Sequence, residues 1–117
     1  GICNPGQAVI TDAHWLEVQK IIHTVGPIWE GGDYGEEEVL RSCYRASLQL
    51  AQEHQLNHIA FPCIAAGVYE FPGDLAARIA VDEVQTFMAA TPNPQRVTFC
   101  CFQEQDLAHY QEALAHR

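Results

Sequence analysis

The segment AAGVYEFP, residues 65–72, joins a short apolar run to a helical pattern and has the composition of an anion-binding loop. Ala65, Ala66 and Gly67 carry almost no side chain, so a ligand can approach the backbone there, and Gly67 permits a positive φ. Successive backbone N–H groups in such a turn form a concave anion site, and the following helix adds its N-terminal dipole. A diphosphate suits this arrangement. The alternative is a tight strand-to-helix turn in which small residues serve only packing.

Aromatic and acidic residues near this loop suggest other kinds of contact. Trp29, in the segment GPIWEGGDYG, is either a core residue or a platform for a ligand, and the spacing favours the core. Tyr69 and Phe102 have rings that stack on a base or a sugar, although core packing is the commoner role of a single aromatic residue. The acidic run 36–38 predicts a charged first turn of a helix, because a metal site needs ligands from several elements.

The cysteines and histidines form no recognisable metal or disulfide framework. The five cysteines include no C-x-x-C pair, which favours buried, reduced thiols and a cytoplasmic location over any disulfide scheme. His54 and His58 are four residues apart, but His58 falls in a predicted strand, so the two need not share a helical face as zinc ligands. His23 lies in an apolar strand pattern and is interpreted as a core histidine.

The elements that position these residues alternate between strands and helices. Short β-branched or continuous apolar runs predict strands over residues 8–11, 18–25, 58–64 and 96–102. Apolar residues at spacings of three, four and seven predict helices over 35–55, 73–90 and 103–117. This order predicts an α/β layered fold with a largely parallel sheet, and ligands bind such sheets beyond the carboxyl ends of the strands.

The helical patterns also predict which side chains are buried. The expected core face of the first helix is Val39, Leu40, Cys43, Leu48, Leu50 and Ala51, and that of the last helix is Leu107, Tyr110 and Leu114.

Length and charge limit the function classes. A chain of 117 residues is sufficient for one domain, 1–117, with a single core. The net charge of −9, with six lysines and arginines, excludes the basic surface that duplex nucleic acid requires. No apolar run has the length of a membrane span. A bound anion would therefore be held by backbone N–H groups rather than by cationic side chains.

Four segments, CNPGQAVIT, IIHTVGPIWEGGDYGEEEVLRSCYRASLQLA, IAFPCIAAGVYEFP and VTFCCF, occur in an order that resembles the macrodomain family. The resemblance is to the branch of O-acetyl-ADP-ribose deacetylases and mono-ADP-ribosyl hydrolases. It implies a three-layer α/β/α fold with a mixed, largely parallel sheet, a diphosphate ligand such as ADP-ribose, and no metal or organic cofactor.

The resemblance also assigns residues to the site. The loop matching 65–71 wraps the diphosphate of ADP-ribose, Tyr69 lies beside the ribose next to the scissile bond, and Phe102 packs near the adenosine half. GPIWEGG matches a loop that borders the site. The predicted ligand-binding residues are Ala65, Ala66, Gly67, Val68, Tyr69, Glu70, Phe71 and Phe102.

Two departures from the family pattern affect the expected function. The family loop usually has the form S-T-G-V/I-Y/F-G, whereas here Ala65 and Ala66 replace the hydroxyl residues and Glu70 replaces the second glycine. Backbone donation survives an alanine, but a carboxylate near a diphosphate is repulsive unless Glu70 points outward.

The second departure is that the family's first third has no counterpart in the sequence. That third carries an acidic adenine contact, an N-A-A-N strand end and a glycine-rich loop whose aspartate activates water. We therefore expect an N-terminally truncated macrodomain with no assigned catalytic residue and little hydrolase activity. The alternatives are a non-catalytic ADP-ribose reader and an oligomeric scaffold. Without the N-A-A-N strand, residues 18–25 and 58–64 keep unpaired inner edges, which predicts a homo-oligomer.

Overall fold

The described residues form seven elements in the order expected from the sequence. A computed structural model describes residues 3–15, 18–64, 69–101 and 103–115. Its strands are β1 (Ala8–Trp15), β2 (Val18–Thr24), β3 (His58–Pro62) and β4 (Arg96–Cys100), and its helices are α1 (Glu36–Glu53), α2 (Gly73–Ala90) and α3 (Glu104–Ala115). This alternation confirms the α/β class. Among the described helices, none combines the length and hydropathy needed to span a membrane.

β1 is longer than the predicted strand 8–11 because it continues in an antiparallel ladder with β2. The sequence pattern ends at Asp12, a residue type depleted in strands. In the ladder Asp12 lies opposite Lys20 and the two side chains form an ion pair. Opposite charges on facing residues stabilise a strand pair, so the ladder extends beyond the apolar run.

β3 and β4 form a parallel ladder in which Pro62 lies opposite Cys100. Within the described ranges this ladder and the β1–β2 ladder are separate two-stranded sheets, and no ladder joins β2 to β3. One ladder is antiparallel and one is parallel, so the pairing is mixed, as the resemblance implies, although it is not largely parallel within the described ranges. The lack of pairing between β2 and β3 among these residues agrees with the unpaired edges expected without the N-A-A-N strand. β1 and β2 pair antiparallel because the connection between them is too short for a parallel crossover.

The core lies where the helices meet β3 and β4. Tyr44 of α1 packs against Phe61 of β3, and Tyr110 of α3 against Phe99 of β4, each with ring centroids 4.9 Å apart. Phe61 and Phe99 stack across the ladder at 6.3 Å, and the hydroxyl oxygens of Tyr44 and Tyr110 lie 3.3 Å apart. α2 packs against α1 and α3 and contributes the buried residues Ala76, Ala77, Ile79, Ala80, Val81 and Val84.

The expected core face of the last helix was wrong for two of its three residues. Leu107 and Leu114 are 47% and 48% exposed, because α3 turns Tyr110 and Ala113 toward the core. The first helix agrees better with expectation. Of its predicted face, Leu40, Cys43, Leu48 and Ala51 are buried, while Val39 and Leu50 are half-buried.

Candidate functional site

The predicted ligand loop begins where β3 ends, beside the end of β4. The two strands are parallel, so both chains leave the sheet at the same edge, with Pro62 opposite Cys100. Beyond the ladder, the Sγ atoms of Cys63 and Cys101 are 3.8 Å apart. The two loops therefore start from neighbouring positions, at the edge where open α/β sheets bind ligands.

Most of the predicted ligand-binding residues lie outside the described residues, and their roles stay predictions. They are Ala65, Ala66, Gly67, Val68 and Phe102. The last described residue before 65–68 is Ile64, and the last before Phe102 is Cys101. Both follow the paired ends of β3 and β4.

The three described members of the set take different positions. Tyr69 is half-buried against the core, Phe71 is 4% exposed and belongs to the core, and Glu70 between them is exposed. The side chain of Phe71 thus anchors this segment to the protein interior. The surfaces open to a ligand are those of Tyr69 and Glu70.

Glu70 has an unusual backbone conformation for a residue with a side chain. Its φ is 57°, in the left-handed region, where a Cβ crowds the following carbonyl and glycine is favoured. The family pattern has a glycine at this position, and the left-handed φ gives a physical reason for it. Because Glu70 is exposed, its carboxylate is hydrated.

Trp29 connects the segment GPIWEGG to residues 69–71. Its backbone N–H donates to the backbone carbonyl of Tyr69 at 2.9 Å. Its ring meets that of Phe71 edge-on, with the ring centroids 4.7 Å apart. Gly32 lies directly against the indole, since a Cβ on Gly32 would be 2.9 Å from Trp29 Cη2. Trp29 is half-buried on the core, which agrees with the core interpretation that the sequence favoured.

Glu36 holds the same segment from the start of α1. Its side chain is 3% exposed, and its two carboxylate oxygens accept the N–H groups of Glu30, Gly32 and Tyr34 at 2.9, 2.8 and 2.7 Å. The other two acidic residues of the run, Glu37 and Glu38, are exposed. The expected charged first turn is therefore present, but Glu36 is buried and accepts hydrogen bonds from the preceding loop.

The hydrogen bonds keep the Glu36 carboxylate ionised. Burial raises its pKa, but hydrogen bonds from the backbone N–H groups of Glu30, Gly32, Glu36 and Tyr34 lower it, and the result is a decrease from 4.5 to about 2. A carboxylate that accepts several backbone N–H groups is stabilised in its charged form. The loop 30–34 is thus tied to a permanent negative charge at neutral pH.

α2 begins at Gly73, shortly after residues 69–71 of the candidate site. Its N-cap is Pro72. Gly73 packs on α3, since a Cβ there would be 2.8 Å from His109 Cδ2. In the first turn, Asp74 Oδ2 lies 3.6 Å from Arg78 Nη1. Among the described residues, no side chain caps the backbone N–H groups that begin α2.

Cys63 and Cys101 form no disulfide with each other at this edge. All five cysteines are free, but only Cys43 is buried and Cys100 is exposed, so the expectation of buried thiols was wrong for the other four. Burial, together with the neighbouring Cys101 thiol, raises the pKa of Cys63 to about 12. Cys63 is therefore protonated at neutral pH and a weak nucleophile.

The histidines that the structure describes do not assemble a metal site. Over residues 3–15, 18–64, 69–101 and 103–115, no group of three or more His, Cys, Asp or Glu side chains is placed to hold a metal ion. His58 is exposed and its Nε2 lies 2.9 Å from Thr98 Oγ1. The expectation that His23 belongs to the core was wrong. It is exposed, with Nε2 3.1 Å from Thr11 Oγ1, because both residues project from the same solvent-facing surface of the β1–β2 ladder.

Comparison with known proteins gives a consistent set of relatives. The sequence profile described as Macro domain matches residues 1–80. A Macro domain-containing protein from Chlorobaculum tepidum is 49% identical over 115 residues, which are 98% of this chain and 67% of that protein. A protein from Enterobacter cloacae named O-acetyl-ADP-ribose deacetylase is 47% identical over 117 residues, 100% of this chain and 65% of that protein.

Solved structures show the same likeness. The Oceanobacillus iheyensis macrodomain with ADP has a TM-score of 0.88 and 38% identity, over 97% of this chain and 59% of that one. The Trypanosoma brucei macrodomain in complex with ADP-ribose has a TM-score of 0.86 and 34% identity, over 96% of this chain and 47% of that one. The chain spans about two thirds of the length of the curated relatives and 47–59% of these two structures.

Proposed function

Because the chain belongs to the macrodomain family, we propose that it binds ADP-ribose at the edge where β3 and β4 end. The observation that carries the proposal is the likeness, at TM-scores of 0.88 and 0.86, to macrodomains solved with ADP and with ADP-ribose. The adjacent ends of β3 and β4 support it, because Cys63 and Cys101, from which the chain continues toward residues 65–68 and Phe102, lie side by side.

The diphosphate is the part of the ligand that the loop 65–68 would hold. The chain has a net charge of −9, so backbone N–H groups of this loop and of the start of α2 would supply the positive potential. Tyr69 would lie beside the distal ribose and Phe102 near the adenosine. Glu70 is exposed, so water screens the repulsion between its carboxylate and the diphosphate.

The reaction class of the family is hydrolysis of an acetyl or protein group from ADP-ribose. A relative of 47% identity is named O-acetyl-ADP-ribose deacetylase. For this chain the proposal is the binding of ADP-ribose, and no residue is assigned to activate water. A non-catalytic reader and an oligomeric scaffold are the alternatives, and the free cysteines support a reducing compartment such as the cytoplasm. The acidic charge argues against duplex nucleic acid as a partner.

Calorimetric titration with ADP-ribose tests the proposal. We expect measurable heat for the wild type and its loss in Gly67→Glu, because a carboxylate would then occupy the diphosphate loop. Ala89→Glu is the matched control. It adds the same charge at an exposed position near the far end of α2, about 24 Å along the helix axis from Gly73. Absence of heat with millimolar ADP-ribose, or equal binding by Gly67→Glu and wild type, would contradict the proposal.

A further inference from the structure

Glu36 is a buried acid whose carboxylate, besides its own backbone N–H, accepts hydrogen bonds from the loop that precedes its helix. Its carboxylate oxygens accept hydrogen bonds from the backbone N–H groups of Glu30, Gly32 and Tyr34. The helix begins at the N-cap residue Gly35 without a side-chain capping hydrogen bond. A favourable interaction with the helix dipole needs only an exposed acid in the first turn, and Glu37 and Glu38 already provide that. The burial of Glu36 therefore serves the loop.

The loop that Glu36 holds is in contact with the candidate site. Gly32, bound to Glu36, lies against the indole of Trp29. Trp29 in turn donates its N–H to Tyr69 and packs its ring on Phe71. These contacts form an unbroken chain from the Glu36 carboxylate to the backbone that follows the loop 65–68.

We propose that Glu36 is a positioning residue for the candidate site, because its carboxylate fixes the loop 30–34 around Trp29 and thereby fixes the backbone of residues 69–71. The effect on a ligand rests on the proposed binding of ADP-ribose. The positioning itself does not, since it concerns only contacts within the protein. Coupling through packed side chains and hydrogen bonds of this kind acts on a site without touching the ligand.

The geometry separates a positioning role from a local one. The backbone N–H of Trp29 donates its hydrogen bond to the carbonyl of Tyr69 and not to the Glu36 carboxylate. If Glu36 only satisfied the three loop N–H groups that it binds, its removal would expose those amides and leave the Trp29 amide protected. If Glu36 positions Trp29, the Trp29 amide loses protection as well.

Amide hydrogen exchange and ADP-ribose titration of Glu36→Ala, Glu36→Gln and Glu37→Ala test the proposal. In Glu36→Ala we expect exchange at Trp29 to be about tenfold faster and the affinity for ADP-ribose about tenfold weaker. Glu36→Gln keeps one accepting oxygen, so its changes should be in the same direction and smaller. Glu37→Ala removes an exposed acid from the same turn and should match the wild type within about twofold. If Glu36→Ala does not fold, Glu36→Gln decides.

Unchanged Trp29 exchange in folded Glu36 variants would overturn the proposal, whatever happens to affinity. Faster Trp29 exchange with unchanged ADP-ribose affinity would overturn its link to the site. A wild type that binds no ADP-ribose would instead contradict the proposed function. The exchange of the Trp29 amide would then still decide whether Glu36 positions residues 69–71.

Discussion

Glu70 combines two separable unfavourable features, a left-handed backbone and a negative charge next to the predicted diphosphate loop. Its φ of 57° belongs to a region that residues with a Cβ enter at a cost of about 1–2 kcal/mol. Its carboxylate is exposed, so its electrostatic effect on a ligand is long-range and sensitive to salt. Different substitutions of this residue therefore isolate each feature.

Glu70→Gly should stabilise the fold, because glycine accepts the left-handed conformation without strain. The gain should be about 0.5–1 kcal/mol after the larger conformational entropy of an unfolded glycine is subtracted. Glu70→Gln keeps the Cβ and the strain, so its free energy of unfolding should remain within about 0.5 kcal/mol of wild type. Urea denaturation measures both variants. A destabilised Glu70→Gly would show that the side chain makes a stabilising contact.

The ionised state of Glu36 makes stability depend on pH. Hydrogen bonding lowers the pKa of Glu36 from 4.5 to about 2 in the folded protein. A group whose folded pKa is depressed contributes stability that is fully present above its unfolded pKa and is lost as the pH falls through the folded value. This contribution is therefore complete above about pH 4.5 and disappears toward pH 2.

We expect Glu36→Gln to be less stable than the wild type at pH 7 and the difference to shrink steadily between about pH 4.5 and pH 2. The measurement is the urea midpoint at several pH values in that window. Glu37→Gln is the control, because Glu37 is exposed in the same helical turn. A constant difference between Glu36→Gln and wild type over the whole window would show that the carboxylate is not held in its charged form.

At the scale of elements, the helices were predictable because their amphipathic periodicity is strong over many residues. The ends of the strands and the contacts between neighbouring elements were less predictable. β1 extends past the apolar run to pair Asp12 with Lys20, and a cross-strand pair leaves no signal in a local window. Leu107 and Leu114 fit a helical stripe, but α3 presents Tyr110 and Ala113 to the core.

The candidate site was predictable in part for the same reason. The small residues of the loop are visible in the sequence, whereas the role of Glu36 is not, because it has two acidic neighbours with the same local context. What distinguishes Glu36 is the three glycines of the segment before it, Gly31, Gly32 and Gly35, all with positive φ. They allow the loop to fold back onto the carboxylate.

The contact between α1 and α2 is reinforced by Glu83. Its Oε1 accepts from Arg41 Nη1 at 3.4 Å and from Arg45 Nη2 at 3.1 Å, and its side chain is 13% exposed. Arg41 also pairs with Asp82 at 2.8 Å. One carboxylate thus links two turns of α1 to α2.

Glu83→Gln should lower the free energy of unfolding by about 0.5–1 kcal/mol, because partly exposed ion pairs contribute little and water screens both arginines. The loss should become smaller in 1 M salt, where the Debye length is about 3 Å. Glu53→Gln removes the same charge from an exposed position at the end of α1 and should change stability by less than about 0.5 kcal/mol. A salt-independent loss in Glu83→Gln would indicate a packing effect instead.

At the scale of the whole molecule, we expect the purified 117-residue chain to be a poor hydrolase. The family's N-A-A-N strand end and glycine-rich loop have no match among these residues. Without a group that orients the attacking water, the rate should be about a hundredfold to ten-thousandfold below that of a full-length relative. Release of acetate from O-acetyl-ADP-ribose measures it, with such a relative as the positive control. Turnover equal to the control would contradict this expectation.

The arrangement of the strands bears on self-association. β1–β2 and β3–β4 are separate ladders, and within the described residues no ladder joins β2 to β3. The strand edges between them carry backbone N–H and C=O groups, and natural proteins seldom leave apolar edges uncovered. Of the side chains that flank these edges, Phe61 is buried, and the half-buried ones are Ile21, Ile22, Val25, Ile59 and Ile64.

Two repairs of such an edge are possible, direct pairing of the flanking strands or cover by a second copy. The described residues show no direct pairing of β2 with β3. For the 117-residue chain by itself we therefore expect cover by a second copy, most simply through a two-fold interface. A second apolar surface competes as the site of association. It is the exposed side of α3, where Leu107 and Leu114 are 47% and 48% exposed.

We therefore expect the chain to form a dimer or a higher oligomer at micromolar concentration, with the strand edges as the contact. Sedimentation equilibrium measures the mass against the 13.0 kDa of one chain. The double variant Leu107→Lys, Leu114→Lys separates the two surfaces, because lysines on the exposed side of α3 block association there and leave the edges intact. If the edges carry the contact, the variant associates like the wild type. Its dissociation to a monomer would assign the contact to α3 instead. A wild type that unfolds cooperatively and remains a 13.0 kDa monomer across the range would show that the apolar edges are tolerated in a single copy.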